Sequence, residues 1–219
     1  MATEGIASVT LLATAHLHGD LARLPRLFTL IQRERAAAGG VSFLLDLGDS
    51  CALDVWLCRA TQGRAPLMVL DAMGYDAALV GGPEAVPIPV PSLLRLRELI
   101  TMPVIPWGRA ASLTRKGITL GLATGEAVLP GDRPGFRVDR SSDALPESGA
   151  ATVMLGDVPP GHLARVDVAW PDWTVTAARL VALAPDTPPD PTILATVEFV
   201  QDEARDYARR QGGVSGESG

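Results

Sequence analysis

Two histidines and an aspartate in the first fifty residues, His16, His18 and Asp49, are the side chains best suited to hold a divalent ion. Imidazole nitrogen and carboxylate oxygen suit Zn, Mn or Fe, and a two-His, one-carboxylate face can seat a single ion with positions left open. His16 and His18 lie in a His-x-His-Gly turn that ends the apolar run Val9-Thr10-Leu11-Leu12-Ala13-Thr14-Ala15. Asp49 ends a second apolar run, Leu44-Leu45-Asp46-Leu47-Gly48-Asp49. Glu84, after Gly81-Gly82-Pro83, faces the same edge either as a replacement ligand or general base or as an exposed loop carboxylate. Metal-free readings stand beside these. The two histidines can hydrogen-bond within their loops, Asp46 or Asp49 can cap a following helix, and Asp20 can act as an N-cap or first-turn acid.

These residues need strands that end at one edge. Between the two apolar runs, Leu21 to Arg35 carries apolar residues at helical spacing, so the unit reads as βαβ, and parallel strands present their C-terminal loops on the same side. Helices are expected from Val55 to Gly63 and Pro66 to Met73. Ala77 to Val80 is a third short strand, opening into Gly81-Gly82-Pro83-Glu84. Pro87, Pro89 and Pro91 break the chain before a helix at Leu93 to Leu99 and an extended piece at Pro103 to Pro106. Lys116 to Thr124 reads as a strand after a tight turn, and residues 130–150 as a surface loop. Three β segments follow, Thr152 to Leu155, Leu163 to Val168 and Val175 to Leu183. A helix with proline near its first turn then runs to about Arg210, with a frayed Gly/Ser end.

The 219 residues are 47% hydrophobic and 20% charged, enough for one substantial core. A net charge of -6 with no basic stripe excludes a nucleic-acid binder, and no run reaches membrane-spanning length. Cys51 and Cys58, placed on one helix, would lie about 10 Å apart by helix rise, beyond disulfide reach. They are read as small buried thiols of a reducing, cytoplasmic compartment, and the N-terminus carries no cationic leader. Packing is expected of Trp107, Trp170 and Trp173, and an edge position of His162.

The ordered set of motifs resembles the calcineurin-like metallophosphoesterases, in particular the 5′-nucleotidase branch. The stretches that carry the resemblance are Thr14 to Gly19, Asp46-Leu47-Gly48-Asp49, and Gly74-Tyr75-Asp76 with Ala77 to Glu84. It extends through Met102-Pro103-Val104, Gly117 to Leu122, Gly161 to Asp167 and Pro188 to Leu194. The resemblance implies a two-metal phosphoester hydrolase. The chain departs from the pattern where it counts. His16 stands in place of the first Asp ligand, Gly82 in place of an Asn and Pro83 in place of a His, and the late Gly-His-x-His ligands are replaced by a bypass near residues 130–150. A two-metal clamp needs a bridging carboxylate and several further ligands on each ion; His16, His18 and Asp49 can hold at most one.

The expected fold is therefore α/β, a layered α/β/α-type sandwich with a mixed sheet, metallophosphoesterase-like and truncated. Residues 1–185 form the domain and 186–219 an exit helix and flexible tail. The expected function is that of a degenerate, non-catalytic domain, a binding or accessory protein whose partner is another protein or a small phosphate-containing ligand, with no cofactor. The alternatives are a mononuclear metal-dependent phosphoester hydrolase using Mn, Zn or Fe, with Glu84 as base, and a subunit pairing with a complete homologue through a sheet edge.

Overall fold

The computed structural model describes residues 8–52, 54–81, 88–131, 134–140, 145–146 and 153–214. Strand β1 (Ser8–Thr14) is buried on both faces because it has a layer on each side. Val9, Leu11 and Ala13 point to one core and Leu12 to another. Helix α1 (Leu24–Ala36) buries Leu24, Leu27, Leu30 and Ile31 along one stripe and returns the chain to β2 (Val41–Asp46). β2 is parallel to β1, in register from Val9 opposite Val41 to Thr14 opposite Asp46.

Helices α2 (Trp56–Thr61) and α3 (Arg64–Ala72) lead to β3 (Ala77–Val80), and α4 (Val90–Leu99) leads to β4 (Val104–Pro106), extending the parallel sheet. A hairpin turning at Lys116-Gly117, both at positive φ, joins β5 (Ala110–Arg115) to β6 (Ile118–Thr124). Strands β7 (Gly135–Val138) and β8 (Val153–Leu155) then add parallel to β6. Antiparallel β9 (His162–Ala169) and β10 (Thr174–Ala182) return to the free side of β1. Helix α5 (Pro191–Val214) starts at Asp190, whose Oδ1 accepts the Thr192 and Ile193 N–H groups at 2.9 and 3.0 Å, the expected chemistry of an N-cap followed by proline.

Two mixed sheets result, one of six strands in the order β10-β9-β1-β2-β3-β4 and one of four in the order β5-β6-β7-β8. They face each other across a core that includes Phe43, Leu45, Leu120, Leu122 and Phe136. On the other face of the larger sheet a second core takes buried residues from every helix, among them Leu57, Leu67, Leu96 and Ile193. The layered, mixed α/β class matches the expectation, with two sheets sharing the strands assigned to one. Trp173 packs in the inter-sheet core, with its indole N–H donating to the Gly135 carbonyl at 2.8 Å, and Trp107 and Trp170 pack against its border. His162 opens β9 at an edge turn, its Nδ1 3.2 Å from the Pro160 carbonyl.

Three local expectations are corrected. Residues 130–150 are not simply a loop, because Gly135–Val138 is an interior strand with Phe136 and Val138 fully buried. Four residues are too few to display a period. Asp20 makes no side-chain cap and pairs with Arg23 at 3.1 Å. The third correction concerns the cysteines. Cys51 precedes α2 instead of lying on it, so the two Cα atoms are 5.6 Å apart and the thiols are joined as a disulfide. That separation is ordinary for such a bond. The inference of a reducing compartment, which rested on free thiols, loses its support. Among the described residues no helix is long and apolar enough to cross a membrane. In denaturant, iodoacetamide is expected to label neither cysteine before reduction and both after it, read by intact mass; labelling without reductant would restore the free-thiol reading.

Candidate functional site

The β1–β2 pairing does not stop where the strands do. Leu47 N–H donates to the Thr14 carbonyl at 2.7 Å, His16 to Gly48 at 3.1 Å, His18 to Asp49 at 2.9 Å and Gly19 to Ser50 at 2.8 Å. Two loops are thereby zipped together beyond the C-terminal ends of parallel strands. To make these bonds His16, His18 and Asp49 all adopt positive φ, near 53°, 50° and 56°. A non-glycine residue in this region costs on the order of 1 kcal/mol, and such residues cluster at functional sites. Gly19 has φ near 78°, and a Cβ there would lie 2.7 Å from the Cys58 sulfur, so the disulfide backs the histidine loop.

The three residues singled out by sequence do come together. His16, His18 and Asp49 each offer a ligand atom within 4.8 Å of the others. Two further residues that sequence reasoning missed complete the cluster. Arg140, just after β7, donates through Nη2 to Asp49 Oδ2. Asp157, just after β8, receives His16 Nε2 at 2.7 and 2.9 Å on its two oxygens. His16 Nδ1 lies 3.2 Å from the same Asp49 oxygen that Arg140 holds, and Arg140 Nε is 3.8 Å from Asp157. A closed ring of Asp49, His16, Asp157 and Arg140 results, its members half-buried or deeper. The signal for Asp157 was present, since Leu155-Gly156-Asp157 repeats the strand-then-Gly-Asp pattern of Leu47-Gly48-Asp49. Arg140 had no signal once its strand was read as loop. Glu84, with Gly82 and Pro83, lies outside the described residues.

Electrostatics follow from this ring. Burial alone would push the Asp49 carboxyl up. The Arg140 hydrogen bond and charge, aided by the two imidazoles, outweigh burial and hold it below the usual carboxylate range. Burial likewise works against the Arg140 charge, and Asp49, Asp157 and Asp46 together raise its pKa. Asp46 behaves differently. It is completely buried and its pKa is pushed up to about 7, chiefly by desolvation and further by Asp49, against hydrogen bonds from Ser50 and the Gly48 backbone and the charge of Arg140. Ser50 Oγ donates to its Oδ2, while Oδ1 has no partner among the described residues. Among the described residues Asp46 caps no helix, contrary to one expectation.

The residues fit a metal centre poorly as they stand. Among the described residues only one group of three metal-ligating side chains assembles, too few for two ions. Its carboxylate is already neutralised by a guanidinium. Unit charges about 4 Å apart repel by ~4 kcal/mol at an effective dielectric of 20, and a divalent ion sharing Asp49 with Arg140 would double that. The adjoining cavity, lined by Asp49, Ser50 and Gly81 among others, has a volume of ≈ 20 Å³, room for about one water.

No protein-family model matches the chain, and no curated protein does. Among solved structures it resembles the 5′-nucleotidase precursor from Thermus thermophilus, with a TM-score of 0.63 at 12% identity, covering 91% of this chain and 59% of that one. It also resembles the 5′-nucleotidase from Candida albicans, with a TM-score of 0.52 at 8% identity, covering 94% and 58%. The chain thus has the fold of the 5′-nucleotidases and spans less than two thirds of the length of either. The resemblance in motif order holds at the level of fold.

Asp46 makes stability depend on pH. Its folded pKa lies above the unfolded value of 3.8, so the folded state holds the extra proton between roughly pH 4 and 7. Its contribution is full below the unfolded pKa and is lost as pH rises through about 7. Asp46→Asn, which keeps an acceptor for Ser50, is expected to flatten the fall in urea-unfolding free energy across that window. An unchanged pH profile would show that Asp46 is not the titrating group.

Proposed function

We propose that this chain is a degenerate, non-catalytic 5′-nucleotidase-like metallophosphoesterase domain that works as a binding or accessory protein. The observation that carries the reading is the fate of Asp49, the carboxylate of the three-residue cluster among the described residues, which is committed to Arg140. Phosphoester hydrolysis by two metals requires that carboxylate free and further ligands on each side. The fold supplies the name and the site argues against the activity. A small phosphate-containing ligand or a protein partner would meet His18, the exposed member of the cluster. The disulfide favours an oxidising setting over the cytoplasmic one expected from free thiols.

The second reading, a mononuclear phosphoester hydrolase, is favoured by the convergence of His16, His18 and Asp49 within 4.8 Å. Incubation with Mn, Zn and Fe followed by desalting and elemental mass spectrometry separates the two. The accessory reading expects substoichiometric metal and no turnover of a phosphomonoester and nucleotide panel. One ion per chain, lost in His18→Ala and accompanied by turnover, would establish the hydrolase.

A further inference from the structure

The cluster that lacks two ions' worth of ligands is not short of ligands for one. His16 Nε2 is fixed by both oxygens of Asp157, the arrangement in which a carboxylate sets the tautomer of a metal-bound histidine. His16 Nδ1 lies 3.2 Å from Asp49 Oδ2, and a second ring proton between the two atoms or a positive charge beside them holds nitrogen and oxygen at that distance. Nitrogen and oxygen ligands of one ion bound at about 2.0–2.2 Å lie about 3.0–3.4 Å apart, so this pair already has the spacing of a coordination edge. His18 supplies a third ligand atom within reach. The positive charge comes instead from Arg140. Its guanidinium has a side chain only 13% exposed, sits on that same Asp49 oxygen and turns Nε toward Asp157 without a hydrogen-bond partner among the described residues. An arginine cannot give up its charge, so the substitution is permanent.

We infer that Arg140 is a built-in counter-ion that occupies the charge role of a metal, and that its charge, rather than a missing ligand, keeps a divalent ion off His16, His18 and Asp49. The inference deepens the non-catalytic reading of this site and rests on it. Removing the charge while keeping the side-chain volume leaves Asp49 buried and uncompensated, and a divalent cation can then satisfy it. The polypeptide carries a latent mononuclear site.

The test compares wild type with Arg140→Met and Arg140→Lys by Mn²⁺ electron paramagnetic resonance and by elemental mass spectrometry after Mn²⁺ or Zn²⁺ loading. Wild type and Arg140→Lys are expected to retain no stoichiometric metal. Arg140→Met is expected to retain one ion per chain, lost again on adding His18→Ala, and its melting temperature should rise with Mn²⁺ while that of the wild type does not. If Arg140→Met does not fold in metal-free buffer, recovery of a cooperative melt in Mn²⁺ supports the inference and failure to recover, shared by Arg140→Gln, overturns it. Metal-free Arg140→Met beside a metal-free wild type overturns this inference and leaves the non-catalytic reading standing. Metal in Arg140→Lys at the level of Arg140→Met overturns the role of charge. Stoichiometric metal in the wild type overturns this inference, and turnover of a phosphoester with that metal overturns the non-catalytic reading as well.

Discussion

Everything at the candidate site depends on one backbone constraint, the continuation of β1–β2 pairing into the loops that follow both strands. Four N–H groups beyond the strand ends find carbonyl partners across the two loops, so neither loop can move without the other. The pairing forces left-handed backbone at His16, His18 and Asp49, and that turn of the chain is what aims their side chains at one point. A net hydrogen bond contributes about 1 kcal/mol, comparable to the cost of each left-handed residue, so the loops hold only because the strands beneath are locked on both faces. The Cys51–Cys58 disulfide packs behind Gly19 and limits that loop sterically.

The second sheet supplies what the first cannot. Arg140 and Asp157 leave the ends of β7 and β8, two parallel strands of the smaller sheet, and meet His16 and Asp49 from the larger one. Packing of Phe136 and Val138 against the larger sheet therefore fixes the position of a charge several residues away. The site is a joint between sheets, and its polar contacts report on inter-sheet packing as much as on chemistry.

Legibility followed from element length and pattern. The βαβ unit was readable because β1, α1 and β2 are long enough to show their periods, and the Gly-Asp and His-x-His-Gly turns mark strand ends. That was enough to bring His16, His18 and Asp49 to one place. β7 was lost because four residues flanked by Pro134 and a polar stretch show no period, and with it went Arg140. β5, which exposes half of its residues and buries only Leu113, gave no hydrophobic alternation either. The cysteine error had a single cause: helical rise was applied to both cysteines although the helix read from Val55, and observed from Trp56, leaves Cys51 outside it, where the chain before the helix brings the two into contact.

Charge balance then explains why the cluster took this form. Three aspartates converge near the strand ends, and a buried carboxylate without compensation is costly. The structure resolves the three differently. Asp157 takes His16, Asp49 takes Arg140, and Asp46, deepest of the three and served only by Ser50 and a backbone N–H, is pushed towards its neutral form. Removing one partner of a buried ion pair costs about 3–5 kcal/mol because the other charge is left uncompensated, so Asp49 in this position depends on Arg140. The same contact that stabilises the loops withdraws the carboxylate from a metal. In this chain structural integrity and metal binding compete for one oxygen atom, and the geometry gives it to the arginine.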